Sequence, residues 1–185
     1  MATQEGANVE VIAIHGNFDD AQSAVKRIFT DEATRASLDK DGMMLSSANS
    51  INWGRLAPQI AYYVSAYCDM VKAGTIKQGD KINVCVPTGN FGNILAAYIA
   101  KQMGLPVNKF ICASNRNNVL TDFFKKDGEY DRNRDFYTTT SPSMDILISS
   151  NLERLLFFAS GFDDKMVSER MTKLNTEGRY KVASE

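Results

Sequence analysis

One histidine and one tryptophan stand among 185 residues, with four prolines and three cysteines. Each scarcity narrows what the chain does. His15 has no second histidine to work with; at a strand end it suits a structural or surface role better than an acid–base one. Cys68, Cys85 and Cys112 are odd in number, widely spaced and set in apolar runs. No disulfide framework fits them, so they are expected to be reduced core residues of a cytoplasmic protein. Excess charge is missing too: the net charge is −1. That gives no basic footprint for nucleic acid or an anionic membrane. No apolar run approaches the roughly 20 residues needed to cross a bilayer. The start, Met1 to Asn8, lacks a basic region followed by an apolar one, so no secretory signal is expected. Internal repeats and low-complexity tracts are absent.

What is present is ordinary for a soluble globular protein: 44% hydrophobic and 23% charged residues. The length suits one domain, or one domain with part of another. Val9 to Ile14 is β-branched and apolar, and reads as a strand. Asp19 or Asp20 can cap a helix carrying Ala21, Val25, Ile28 and Phe29 on one face. Thr30 to Lys40 is polar and helical in propensity. Leu56, Ile60, Tyr63, Val64, Tyr67 and Val71 recur at helical spacing, with Pro58 in the first turn or at a kink, and Gly74 at the stop. Lys81–Val86 and Lys109–Ala113 read as strands flanking a helix over 94–103. The expected class is α/β, with a parallel sheet and flanking helices. Asn115 to Asn118 opens a short helix through Phe124. A polar loop follows from Lys125 to Ser143, then core segments Met144–Ile148 and Leu152–Phe158, ended by Gly161. Asp163 or Asp164 caps a last amphipathic helix, and the chain ends in polar residues.

The chain is organised around Pro87-Thr88-Gly89-Asn90-Phe91-Gly92-Asn93, at a strand-to-helix turn. Two glycines three apart allow close approach of a ligand, and the helix start aims N–H groups at one point. An ATP-type P-loop is excluded, because Asn93-Ile94 stands where Lys-Ser/Thr belongs. The dinucleotide fingerprint fails as well, with two glycines rather than three and Ser114-Asn115 where an acid should end the next strand. Two readings stay open: a small phosphomonoester cradle built from Gly, Asn and backbone N–H groups, or a turn whose glycines serve only packing.

Three stretches together resemble the threonine synthase family in order and spacing: Ser47-Ala-Asn-Ser-Ile-Asn52 with Arg55, the glycine loop, and Ser141-Pro-Ser-Met-Asp145. Val11 to Asp20 resembles it too. That family comprises pyridoxal-phosphate enzymes of fold type II, the tryptophan synthase β group. They convert O-phospho-L-homoserine and water to L-threonine and phosphate. The resemblance implies that Gly89, Asn90, Phe91, Gly92 and Asn93 hold the cofactor phosphate. It places Ser50, Asn52 and Arg55 near the substrate's carboxylate and phosphate, roles their polarity suits. For Ser50 and Asn52, capping of the following helix competes. Asp145 is left outside the site, since it could cap or pair structurally. Residues 1–42 would be the tail of the smaller domain, and 43–185 part of the larger one.

The departures from the family bear on activity. No lysine here sits in the Phe-Lys-Asp-type context that carries the family's Schiff-base lysine, and the Ser-Gly-Asp-Thr-Gly and Gly-Thr-x-His-Pro-type segments are missing. The expectation is an internal piece of a longer enzyme, with no catalytic residue of its own and no metal. It would be inactive in isolation and prone to self-association through unpaired sheet edges. The competing expectations are a stand-alone, non-catalytic α/β module binding a phosphorylated ligand, and a piece of another fold-type II enzyme.

Overall fold

The computed structural model describes residues 6–16, 18–49 and 51–182, with Phe18 through its backbone alone. Two compact units divide the chain, Met1–Ser46 and Ser47–Glu185.

In the first unit, helix α1 spans Phe18–Thr30 and α2 spans Glu32–Lys40. Asp31 caps α2, accepting a hydrogen bond from the Thr34 N–H at 2.9 Å. Asp19 and Asp20 lie inside the first turn of α1 rather than before it, where negative charge complements the helix dipole. The expected strand over Val9–Ile14 does not form. Residues 10–14 have no regular structure, and only an isolated bridge joins Gly6 to Val9. A strand exists by pairing its N–H and C=O groups, and no described strand lies alongside this segment. Ile12 and Ile14 stay exposed, as do Val25 and Ile28 on α1. His15 is exposed, as a surface histidine should be.

The second unit opens with α3, Trp53–Leu56, whose first residue is the single tryptophan, half exposed. A 3-10 turn over Ala57–Gln59 links it to α4, Ile60–Lys72. Pro58 sits at the start of that turn, where a missing N–H costs nothing. Gly74 ends α4 with φ of 71°, and Thr75 N–H donates back to the Met70 carbonyl at 3.0 Å. Leu56 is fully buried and Tyr67 nearly so, whereas Val64 faces solvent.

Strand β1, Ile82–Pro87, then α5, Gly92–Gln102, and β2, Val107–Ala113, form a β-α-β unit with parallel strands. Burial alternates along β1: Val84 and Val86 point inward, and Asn83, Cys85 and Pro87 outward. This corrects the expectation for the cysteines. All three are free thiols, but Cys68 and Cys85 are exposed and Cys112 is half-buried. An apolar run suggested a strand covered on both faces, yet one face of β1 is open.

Helix α6, Val119–Lys125, follows. The supposed polar loop after it contains β3, Glu129–Asp131, and a 3-10 turn at Pro142–Met144. Helices α7, Leu152–Ala159, and α8, Asp164–Thr176, lead to β4, Arg179–Lys181. The polar tail is therefore partly structured: β4 pairs antiparallel with β3, Tyr130 opposite Tyr180. Those rings stack at 5.3 Å between centroids, beside Phe123. Burial pushes the Tyr180 phenol far above its ordinary value, with the Tyr130 and Glu153 charges adding to the rise. The core joins Leu56, Val84, Leu95, Leu120, Leu152 and Leu156 around α5. Fully burying a leucine such as Leu95 stabilises the unit by about 1.5–3 kcal/mol.

Candidate functional site

β1 delivers the glycine loop to the start of α5, and the Thr88 N–H extends the ladder by donating to Ala113 O at 2.8 Å. Gly89 and Gly92 are buried. A Cβ on Gly89 would lie 3.3 Å from Ser143 O and 3.4 Å from Met144 Cα, so the Ser141–Asp145 stretch closes directly over the loop. Phe91 takes the left-handed conformation, φ of 60°, as the residue before α5. A bulky side chain rarely adopts it, and such strain gathers at binding turns. Burial of the ring, 4% exposed, holds it there.

The turn spends its carbonyls and keeps its donors. Gly89 O accepts from Ser149 Oγ at 2.8 Å. Asn90 O accepts from Asn151 N and Asn151 Nδ2, each at 3.0 Å. The N–H groups of residues 89–94 meet no acceptor among the described residues. Asn90 Oδ1 and Ser150 Oγ are buried without a hydrogen-bond partner among them as well. Buried polar groups in native proteins are nearly always satisfied, so these unmet groups mark where water or a ligand belongs. With the positive end of α5 behind them, the N–H donors suit an anion.

Asn93 contributes differently from Asn90. Its Nδ2 donates to Gln59 Oε1 at 2.9 Å, and Tyr63 OH donates to its carbonyl at 3.1 Å and to its Oδ1. Its amide is committed to Gln59 and Tyr63, leaving the backbone N–H for a ligand. Burial pushes the Tyr63 phenol up to about 12, so it stays a neutral donor at ordinary pH.

The other candidates are only partly joined to the loop. Asn52 caps α3: its Oδ1 accepts from Gly54 N at 2.9 Å, and its Nδ2 donates to Ser47 O at 2.6 Å. The capping role that competed for it therefore occupies its side chain. Ser50 lies outside the described residues. Arg55 is exposed, with no ion pair among the described residues. A bridge runs from this stretch to the loop through Arg154, whose guanidinium donates to Ile51 O and to Asn151 Oδ1. Asn151 in turn holds Asn90.

Sequence reasoning missed Ser149, Ser150, Asn151 and Arg154. Their signal was a polar triplet, Ser-Ser-Asn, set between two core segments, where solvated side chains have no reason to be. Among the described residues no cluster of His, Cys, Asp and Glu could hold a metal, and no helix is long and apolar enough to cross a membrane.

Known proteins resemble the chain along nearly its whole length, although no protein-family model matches it. It is 51% identical over 173 residues to human threonine synthase-like 1, covering 92% of this chain and 23% of that protein. It is 42% identical over 191 residues to threonine synthase of Eremothecium gossypii, covering 98% of this chain and 35% of that enzyme. Among solved structures, pyridoxal-phosphate-bound threonine synthase from Brucella melitensis superposes with a TM-score of 0.74 at 42% identity, over 92% of this chain and 34% of that one. The yeast enzyme gives 0.71 at 39%, over 91% and 33%. The chain thus spans about a third or less of the proteins it matches, and the α/β fold with a parallel strand pair is shared with fold-type II enzymes. Over the portion of their length that it spans, the chain is threonine synthase-like in both sequence and fold.

Proposed function

We propose that these residues form the cofactor-phosphate half of a threonine synthase active site, and that the reaction served is conversion of O-phospho-L-homoserine and water to L-threonine and phosphate. The observation that carries this reading is the glycine loop: N–H donors unmet among the described residues from 89 to 94, at the start of α5. The donor set fits a phosphomonoester. It offers several N–H groups and a helix end, with no lysine required. The solved Brucella relative, bound to pyridoxal phosphate, supports the identity of that ligand. The compact unit Ser47–Glu185 would then be part of the larger cofactor domain.

In this reading the N–H groups of Gly89, Asn90, Phe91, Gly92 and Asn93 bind the cofactor phosphate, and the Ser143–Met144 backbone over Gly89 excludes water from one side. Pyridoxal phosphate, when bound, supplies the electron sink for carbanion chemistry at the substrate's α and β carbons. Ser50 and Arg55 orient the substrate's anionic groups, Arg55 with a guanidinium suited to forking onto an oxyanion, while Asn52, spent on capping α3, fixes the turn that carries them. No residue here is assigned the proton transfers, because no lysine lies in the family's Phe-Lys-Asp-type context.

The test is a titration of the 185-residue chain with inorganic phosphate, then pyridoxal phosphate, followed by backbone amide NMR. Saturable shifts confined to residues 89–94 are expected, with no threonine formed from O-phospho-L-homoserine. Amides that stay in place up to high phosphate would defeat the reading, and threonine formation would defeat the assignment of the proton transfers elsewhere.

A further inference from the structure

Asp145 is the most elaborately held carboxylate among the described residues. It is 4% exposed. Oδ1 accepts from Asn115 Nδ2 at 2.6 Å, Thr139 Oγ at 2.7 Å and Asn117 Nδ2 at 3.1 Å, and Oδ2 accepts from Thr139 N at 2.7 Å. No cation pairs with it among the described residues. A buried charge without a counter-ion is costly unless hydrogen bonds replace its water. Four convergent donors need a group that only accepts, with lone pairs on two oxygens, which an ionised carboxylate provides and an amide does not. Burial pushes this carboxyl up, yet the bonds from Thr139, Asn115 and Asn117 together outweigh it and hold it below the ordinary value.

We propose that Asp145 is a positioning residue for the glycine loop, acting through the strap of residues 139–151 to aim the N–H groups that receive an anion. The proposal rests on the phosphate reading of that loop and adds what sets its geometry. The strap is tied at both ends. Upstream, Asn117 binds the Tyr137 backbone on both sides, N–H at 2.9 Å and C=O at 2.7 Å, while Arg116 stacks over the Tyr137 ring at 3.7 Å. Downstream, Tyr130 OH donates to Leu147 O at 2.9 Å and accepts from Ser149 N at 2.8 Å. Between them, Ser143 and Met144 press on Gly89.

Peptide planarity transmits the position. The Gly89 carbonyl shares a rigid plane with the Asn90 N–H, and the Asn90 carbonyl shares one with the Phe91 N–H. Ser149, by holding the first carbonyl, sets the direction of the Asn90 donor. Asn151, by holding the second with two bonds, sets the Phe91 donor. Two cradle donors are therefore aimed by a strap whose own register depends on the Asp145 carboxylate.

The experiment compares the wild-type chain with Asp145→Asn and Ser149→Ala, using amide NMR without ligand and then inorganic phosphate as probe. Asp145→Asn puts an amide donor against donors at nearly constant size. It is expected to move the Asn90 and Phe91 amide signals in the ligand-free chain and to weaken phosphate binding about tenfold. Ser149→Ala is expected to move Asn90 more than Phe91. A purely structural role would lower the melting temperature and leave both signals and affinity unchanged below it. A folded Asp145→Asn chain with unmoved signals overturns the proposal. If that variant does not fold, Ser149→Ala and Asn115→Ala decide, and unmoved signals in both overturn it. A wild-type chain that ignores phosphate sinks the cofactor reading, while the ligand-free signals still judge Asp145.

Discussion

Gly89 has no left-handed angle to justify it; its requirement is space. Its backbone lies against Ser143 and Met144, which are main-chain neighbours and cannot swing aside as a side chain could. Gly89→Ala should therefore destabilise the chain by about 1–3 kcal/mol, as overpacking does, and weaken phosphate binding with it. Urea unfolding and the phosphate titration check both. Phe91 is the reverse case, strained in its backbone and retained for its buried ring. At this scale the loop was legible from Gly89 and Gly92, because glycine spacing at a strand–helix junction has few uses. Asn93 was not: nothing in the sequence says that Gln59 and Tyr63 occupy its amide. Nor could Cys85 be placed, since one apolar run fits a strand covered on one face or on two.

Helix ends were the elements most readable in advance. Asp163 was one of two candidate caps for the last helix, and it accepts from Met166 N–H at 2.9 Å. Asp163→Ala should cost about 1 kcal/mol, measurable as a lower urea midpoint, while Asp164→Ala, one position inside, should cost less. The strap was illegible as an element because it is held by side chains rather than by a ladder. Its pH response should expose it. Asp145 titrates lower in the folded chain than in the unfolded one, so it stabilises the fold above about pH 3.9 and loses that contribution as pH falls through its depressed folded value. Its partners are amides, a hydroxyl and a backbone N–H, and none of these titrates alongside it. Urea midpoints measured down the acid range should thus fall more steeply for wild type than for Asp145→Asn. Equal slopes would show that the carboxylate is not held as described.

Across the whole molecule, apolar surface outruns what these residues cover. One face of the β1–β2 pair is open, with Ile111 48% exposed, and Val11, Ile12 and Ile14 form a β-prone stretch 36–76% exposed that lies in no described strand. Parallel strands ordinarily have both faces covered, and unpaired strand-like segments invite pairing with other chains. Concentration-dependent association is expected in sedimentation velocity, reduced by Ile12→Lys and Ile14→Lys together. A monomer at all concentrations would contradict it. The strand expectation for Val9–Ile14 failed for the same reason: composition reports β-propensity, but pairing decides whether a strand forms.

The single indole sits at Trp53, the first residue of α3, next to the Asn52 cap and two positions before Arg55. Half in water, it makes the protein its own optical instrument. Its emission colour will follow the polarity at that turn alone, undiluted by any second tryptophan. A molecule settling against Arg55 and one settling only in the glycine loop can therefore be told apart in a cuvette, without a label.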